Sequence, residues 1–325
     1  DPRTYDWPQK ANVARQFCEP LVRWQPDGSF TPSLLESWEV SDDARTYVLH
    51  ARRNAEWTNG DAFTAADVVF NIRRMADSSV PGNSMAARLA ALRDPDTTFA
   101  AEDAVVQLDD YTVQLNLRRP DISLIPSFGD YPALCVHPSL GDDIDLAQTP
   151  IGTGAFELVS FQVGIGAKLK RREQGRWWGG EALLDGIDFI DMGTDESAFV
   201  SAFGDGEIDM NDETSAGFVE LFEAAGLIRE TALTATTMVA RMNTLVEPFT
   251  DQRVRRAVQL AIDNNVVLEL GVNGRGEVGE NHHVAPLHPE YAELPIIGRD
   301  VAQAKALLAE AGHTETELEL TSIDE

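Results

Sequence analysis

Three histidines near the C-terminal end supply the residue type best suited to metal binding: His282, His283 and His288. Neutral imidazoles are good ligands for nickel, copper and zinc. Their spacing matches no standard metal site, and the prolines around them predict a loop, where histidines ordinarily face solvent. His282 and His283 are therefore candidate metal ligands, with a solvated loop as the alternative.

Catalytic motifs are absent from the sequence. It contains no G-x-S-x-G elbow, no H-E-x-x-H motif and no phosphate-binding P-loop. The glycines at Gly164 and Gly166 lack the third glycine and the following helix of a dinucleotide site. Carboxylates are so abundant that a chance pair carries little information. We therefore expect a protein that is not an enzyme, has no catalytic residue and needs no cofactor, with a hydrolase as a distant alternative.

Acidic residues outnumber basic residues by a wide margin. The 325 residues include 54 Asp and Glu against 26 Lys and Arg, so the formal net charge is −28. Nucleic-acid phosphates and anionic membranes repel such a chain, and neither is an expected partner. No apolar run approaches the ~20 residues of a membrane span. Cys18 and Cys135 lack C-x-x-C spacing and are interpreted as two buried thiols, with a single disulfide as the alternative.

Capture of a small molecule without reaction needs a cleft lined by aromatic rings and a few fixed polar groups. A polar run follows residues 206–210 (GEIDM), which are predicted to form a short strand, and residues 236–243 are predicted to form an interior strand. Ligands of open α/β sheets bind at the carboxyl ends of strands. The candidate ligand contacts in these places are Asn211, Asp212, Glu213, Thr214 and Asn243.

Helix-capping residues and the periodicity of apolar side chains predict the elements of the first half of the chain. Thr64 and Asp67 form a capping-box pattern before an amphipathic helix over 65–75. Residues 111–117 alternate apolar and polar side chains, as a half-buried strand does. Trp57 fits either a core position or a cleft wall.

The stretch 149–191 is predicted to form three successive strands separated by glycine-rich breaks, over 155–161, 167–170 and 187–191. The glycines after the pair Trp177–Trp178 would let these rings fold back onto a surface.

Helices dominate the predicted second half. Thr250 or Asp251 caps a helix within 248–263, and Asp300 caps a helix over 301–311 that is followed by a strand beginning at 317–321. The apolar stripe of the first helix is predicted to be Val254, Ala257, Val258, Ala261 and Ile262. Further helices are expected over 12–21, 195–203 and 214–225.

Several sequence blocks, in this order, resemble the solute-binding proteins of peptide- and nickel-type ABC importers. They are EPLVRWQPDGSFTPSLLESW, AEWTNGDAFTAADVVF, PIGTGAFEL, RWWGGEALLDGIDFID, PFTDQRVRRAVQLAID and a D-x-x-x-A-K-x-L-L-x-E-A-G helix. The third block has Ala155 where the pattern usually has proline, and the fourth has Trp177 where it usually has tyrosine. The resemblance extends over essentially the whole chain.

The resemblance implies an α/β chain with the type II periplasmic-binding-protein fold, in which an extra α/β subdomain is inserted in the first of two lobes. On this pattern residues 1–27 and 150–236 form lobe I, residues 28–149 form the inserted subdomain, and residues 237–325 begin lobe II. A second lobe that stops there is expected to be incomplete.

The resemblance also implies a function. It predicts a monomeric, periplasmic or otherwise extracytoplasmic protein that captures a peptide or similar small polar solute in an interlobe cleft. The expected partners are the membrane permease subunits of an ABC importer. A nickel or other metal chelate is the alternative ligand. Tyr5, Met85 and Tyr131 fall where nickel-binding relatives place cleft residues, Tyr5 with one inserted residue.

Overall fold

The computed structural model describes residues 1–232, 234, 237–282, 284–286 and 291–321. The chain divides into a first unit of residues 1–25 and 29–191 and a second unit of residues 26–28 and Met192 onward. Residues 192–232 thus group with the second unit, whereas the sequence pattern assigned them to lobe I. The assignment of lobes and inserted subdomain stays a prediction.

The strands of the first unit are antiparallel to their neighbours. They are β1 (Val22–Trp24), β2 (Phe30–Pro32), β3 (Leu35–Val40), β4 (Thr46–Ala51), β5 (Val105–Gln107), β6 (Thr112–Asn116), β7 (Phe156–Gln162), β8 (Gly166–Arg171) and β9 (Gly186–Ile190). β1 pairs with β2, the next four form a sheet in the order β3-β4-β6-β5, and the last three form a sheet in the order β7-β8-β9.

The helices are distributed over both units. Those of the first unit are α1 (Ala65–Ala76), α2 (Met85–Arg88) and α3 (Leu124–Ser127). Those of the second unit are α4 (Glu196–Asp205), α5 (Val219–Ala224), α6 (Gln252–Ala261), α7 (Asn264–Val272) and α8 (Val301–Ala311). Among the described residues, none of the helices combines the length and apolar character needed to cross a bilayer.

The main core of the first unit lies between α1 and the sheet of β3 to β6. The predicted capping box starts α1, because the Asp67 carboxylate accepts hydrogen bonds from the backbone N–H (2.7 Å) and hydroxyl (2.9 Å) of Thr64. Trp57 is fully buried and donates its indole N–H to Asp67 at 3.1 Å, which confirms its core position. The side chains that fill the space between helix and sheet include Tyr47, Leu49, Val68, Ile72, Met75, Val113 and Leu115.

The sheet of β7, β8 and β9 confirms the three strands predicted in the stretch 149–191. The tryptophan pair after β8 does fold back, because the indole N–H groups of Trp177 and Trp178 donate to the Glu19 carboxylate at 3.3 and 2.8 Å. Glu19 is only 1% exposed, so this contact ties the tryptophan segment to the interior of the first unit.

The second unit has a much smaller core. α6 and α8 begin at the predicted caps, with the carboxylates of Asp251 and Asp300 accepting backbone N–H groups of their first turns. Ala257, Leu260 and Ala304 form the buried cluster between them. The predicted stripe was wrong at Ala261, which is exposed. α6 ends at this residue, and Leu260 supplies the last buried side chain instead.

Three predicted strands are absent from the described part of the second unit. Residues 206–210, 237–243 and 317–321 have no strand structure, and most of their side chains are exposed. A strand needs a neighbour to satisfy its backbone N–H and C=O groups, and these residues belong to none of the sheets in the described part of the chain. Thr236, the first residue of the second predicted strand, lies outside the described residues.

The predicted first helix is also wrong. No α-helix covers residues 12–21. They contain a short 3-10 turn at Ala14–Gln16, which follows another at Pro8–Ala11. Pro20 has no N–H to continue a helix and disfavours helical geometry in the residue before it. The predicted helix over 214–225 is shortened to α5.

The structure confirms that Cys18 and Cys135 are free and buried.

Candidate functional site

The loop that carries Tyr5 is held by buried charges. Arg3 pairs with Asp1 at 2.6 Å and donates to the backbone carbonyl of Arg74 at 3.1 Å. The Arg74 guanidinium pairs with Asp1 at 2.9 Å, and burial lowers the pKa of Arg74 to about 9. Because a buried charge that loses its partner costs several kcal/mol, this network fixes where residues 1–5 can lie.

Two further segments are attached to this loop. The backbone N–H and hydroxyl of Ser84 donate to the carbonyl oxygen of Arg3 at 3.0 and 3.3 Å, which positions the start of α2. The Tyr131 hydroxyl donates to the carbonyl oxygen of Asp6 at 3.1 Å. The structure therefore brings together the three chain segments that contain Tyr5, Met85 and Tyr131.

The three predicted residues differ in what they present at the surface. Tyr5 and Tyr131 are partly buried and pack against the same apolar cluster. Burial raises the pKa of the Tyr5 phenol to about 12, so it stays a neutral hydrogen-bonding group at physiological pH. Met85 is fully buried in the hydrophobic core. Its side chain presents no surface to a ligand in this structure, which corrects its expected place on a cleft wall.

An ion pair that the sequence did not reveal lies next to Tyr131. Arg88, the last residue of α2, pairs with Asp130, and the Asp130 carboxylate also accepts the backbone N–H of Tyr131 at 2.7 Å. Burial lowers the pKa of Arg88. The electrostatic effect of the nearby Tyr131 raises this pKa by a smaller amount. Neither residue belongs to a motif, so only the proximity of α2 and the segment after α3 shows that they meet.

The polar residues predicted after GEIDM form a local turn. Asn211 donates its side-chain amide to the carbonyl oxygen of Glu213 at 2.8 Å and to the hydroxyl of Thr214 at 2.7 Å. Asp212 and Glu213 are exposed. Because no strand directly precedes this turn in the described part of the chain, the reasoning from strand ends does not apply to it.

Asn243 is an exposed residue whose side-chain oxygen accepts the backbone N–H of Leu245 at 3.0 Å. It belongs to the second unit, as does the polar turn, whereas Tyr5 and Tyr131 belong to the first. The interlobe cleft that would unite these residues stays a prediction.

His282 has a carboxylate neighbour. Its Nε2 lies 2.9 Å from the Glu280 carboxylate, which also accepts the Tyr291 hydroxyl at 3.0 Å. His283 and His288 lie outside the described residues. Within the described ranges, no group of three or more His, Cys, Asp or Glu side chains is arranged to hold a metal ion.

The family model for bacterial extracellular solute-binding proteins, family 5 Middle, matches residues 29–323. The chain belongs to this family. It is 29% identical to the periplasmic oligopeptide-binding protein OppA of Haemophilus influenzae over 97% of this chain and 61% of that protein. It therefore spans about three fifths of the length of this relative.

Solved structures share the fold. The structure of AgaA from A. tumefacien R10 in complex with agropinic acid matches with a TM-score of 0.77 at 23% identity, covering 97% of this chain and 62% of AgaA. NikA from Brucella suis in complex with Fe(III)-EDTA matches with a TM-score of 0.71 at 25% identity, covering 96% and 61%. The predicted α/β fold of the type II periplasmic-binding-protein class is confirmed, over about 60% of the neighbours' length.

A Ser–His–carboxylate alignment in this family member bears on the hydrolase alternative. His137 Nδ1 lies 2.7 Å from the Ser139 hydroxyl, and its Nε2 lies 3.1 Å from the Asp61 carboxylate. The same Nδ1 also accepts the backbone N–H of Ser139 at 3.1 Å, and the ring packs edge-on against Trp57. These contacts cap the short turn that begins at Pro138, so the alignment has a structural explanation.

Proposed function

We propose that this chain is the ligand-capturing part of an extracytoplasmic substrate-binding component of an ABC importer, and that its ligand is a peptide or a similar small polar solute. Membership of a family made up of solute-binding proteins supports the binding role. The main structural support is that hydrogen bonds join three separate segments around Tyr5 and Tyr131. We expect the protein to act as a monomer, to deliver its ligand to membrane permease subunits, and to catalyse no reaction.

The surface chemistry favours a ligand with a free amino group. The net charge of −28 disfavours anionic solutes and attracts cationic groups over several ångströms. Around Tyr5 and Tyr131, partly exposed phenol rings offer apolar faces and hydrogen-bonding edges of the kind that line small-molecule sites. A zwitterionic peptide fits both features.

Thermal-shift titration tests the proposal. The probes are a pool of tripeptides, a pool of free amino acids, and nickel–histidine as the metal-chelate probe. A ligand that binds only the folded state at a hundred times its Kd stabilises that state by about 2.7 kcal/mol, which a melting curve detects readily. The peptide pool is expected to raise Tm, and unchanged peptide recovered afterwards is expected to match the amount added.

A single hydroxyl deletion tests the assigned residues. Tyr131→Phe removes the hydrogen bond to Asp6 and should weaken peptide binding by about 3- to 10-fold, the value of one net hydrogen bond. Tyr111→Phe is the matched control, because the Tyr111 ring keeps its stacking contact with Arg53 at 4.6 Å. Equal peptide affinities of the two variants would show that the Tyr131 hydroxyl does not contribute to peptide binding.

The metal-chelate alternative has a specific observation behind it, because the NikA structure matched by this chain contains Fe(III)-EDTA. It predicts stabilisation by nickel–histidine but not by tripeptides, and loss of that shift in His282→Ala. A shift with tripeptides alone would reject this alternative.

A further inference from the structure

A cavity of about 300 Å³ lies beside the candidate site in the first unit, between the β1–β2 pair, α2 and α3. Its walls are formed by Trp24, Arg88, Pro126, Ser127 and Asp130, together with Ser123. This volume is at the lower end of the range for small-molecule sites, so it suits one side chain of a larger ligand rather than a whole peptide. Asp130 directly precedes Tyr131, so the cavity is continuous with the segment that carries the candidate site.

Trp24 has packing neighbours on two sides while much of its side chain remains open to solvent. Its ring packs edge-on against Phe30, directly opposite across β1 and β2, with 4.4 Å between ring centroids. The other support is Gly129, where an added Cβ would come within 2.9 Å of the indole. Even so, Trp24 is 44% exposed. The exposed part of Trp24 contributes to the wall of this cavity.

The charges in the cavity are already neutralised by each other. Arg88 and Asp130 form an ion pair, so an anionic group would have to displace Asp130 and a cationic group would have to displace Arg88. Ser127 donates its hydroxyl to the carbonyl oxygen of Ser123 at 2.8 Å, so it is also satisfied. What the cavity still offers is the indole face of Trp24 and the ring of Pro126. These surfaces favour a planar apolar group.

We infer that this cavity is a specificity subsite that takes an aromatic side chain of the bound peptide, with Trp24 as the stacking surface. The inference rests on the proposed function, because it assumes a peptide ligand at the neighbouring Tyr5 and Tyr131. The Arg88–Asp130 pair holds the segment before Tyr131 against α2 and so sets the distance between the subsite and the rest of the ligand.

Two tripeptide pools of equal charge test the subsite by isothermal titration. Peptides of one pool contain a Phe, Tyr or Trp at one position, and those of the other contain Ala, Ser or Gly there. Wild-type protein should bind the aromatic pool about 3- to 10-fold more tightly, as expected for one aromatic pair. Trp24→Ala should lower the affinity for the aromatic pool to that for the small-residue pool, so that the preference is lost.

Controls keep the outcomes separate. Trp24→Leu retains apolar volume and guards against misfolding of the alanine variant, and Phe99→Ala removes an aromatic ring that is 59% exposed but lies outside the cavity. Loss of preference in both Trp24 variants, but not in Phe99→Ala, supports the subsite. Equal binding of the pools by wild type, or a preference that survives in Trp24→Leu, overturns the subsite alone. Failure of both pools to bind wild type overturns the proposed function and the subsite together.

Discussion

The two units of the molecule bury their apolar side chains to very different extents. In the first unit, helix α1 and a paired sheet enclose side chains such as Leu49 and Ile72, which have no exposed surface. In the second unit, the cluster of Ala257, Leu260 and Ala304 is small. Large side chains elsewhere in that unit are open, including Met210 at 83% and Leu245 at 88% exposure.

This difference shows which secondary-structure elements local sequence signals can form on their own. Caps and apolar stripes form helices in both units, because a helix satisfies its own backbone hydrogen bonds. Sheets appear only in the first unit among the described residues, because a strand depends on a neighbour. Stability should therefore be concentrated where strands have partners, and five substitutions test this expectation.

The largest effect is expected at Gly152, where the turn 149–154 touches the N-terminal segment. An added Cβ would lie 1.9 Å from the carbonyl oxygen of Phe17, so the backbone must move apart. That movement would strain the bond from Gly154 N–H to the same oxygen and the bond from Thr58 N–H to the Gly152 carbonyl. Gly152→Ala should therefore cost about 3–5 kcal/mol of unfolding free energy, from overpacking plus one or two hydrogen bonds.

Urea unfolding measures the cost at Gly152. Gly164→Ala is the control, because a Cβ there meets nothing within 4 Å and only the positive φ of 73° is unfavourable. This control should lose about 1–2 kcal/mol. If the two variants unfold at the same urea concentration, close packing at Gly152 does not support the first unit.

A matched pair of leucine truncations compares the two cores directly. Leu49→Ala removes a fully buried side chain in the first unit and should cost about 3–4 kcal/mol. Leu260→Ala acts in the smaller cluster, where relaxation of open neighbours should limit the cost to about 2 kcal/mol. Denaturation followed by hydrogen exchange assigns each loss to its unit, and equal losses would contradict the contrast between the cores.

Residues with a local role were predictable from sequence, and residues with a tertiary role were not. Thr64, Asp251 and Asp300 act within one turn of their own helices, and their positions were confirmed. The strands predicted over 206–210 and 236–243 do not form in the described residues, because a strand depends on a pairing partner that its own residues do not specify.

The candidate site shows the same division between local and tertiary information. The resemblance placed Tyr5 and Tyr131 on segments that do meet. It could not show that Met85 is fully buried, because burial depends on how α2 packs. Nor could it show that Arg88 pairs with Asp130, since 42 residues separate them and no motif links them.

Glu19 tests whether a buried polar contact contributes as much as apolar packing. Glu19→Ala removes the acceptor of the Trp177 and Trp178 indole N–H groups and the partner of Arg23. Arg23 is partly exposed and can regain water, so the expected loss is about 1–3 kcal/mol. Thermal unfolding measures it, with the exposed Glu207→Ala as a control that should change stability little. A silent Glu19→Ala would show that the tryptophans are held by packing alone.

The smallest effect is expected at Asp251, the partly exposed cap of α6 in the second unit. Hydrogen bonds from the Arg253 side chain and backbone lower the pKa of Asp251 to about 2 from an ordinary value of 3.8. A lowered carboxyl pKa means that the folded state gains stability above pH 3.8 and loses it as pH falls toward 2. Asp251→Ala should therefore speed hydrogen exchange of the first α6 amides at pH 7, whereas the two proteins should exchange alike only below pH 2, where Asp251 is protonated in the folded state as well. Faster exchange of α8 or of the first unit as well would show that the cap stabilises more than its own helix, and that the second unit is more cooperative than its small core implies.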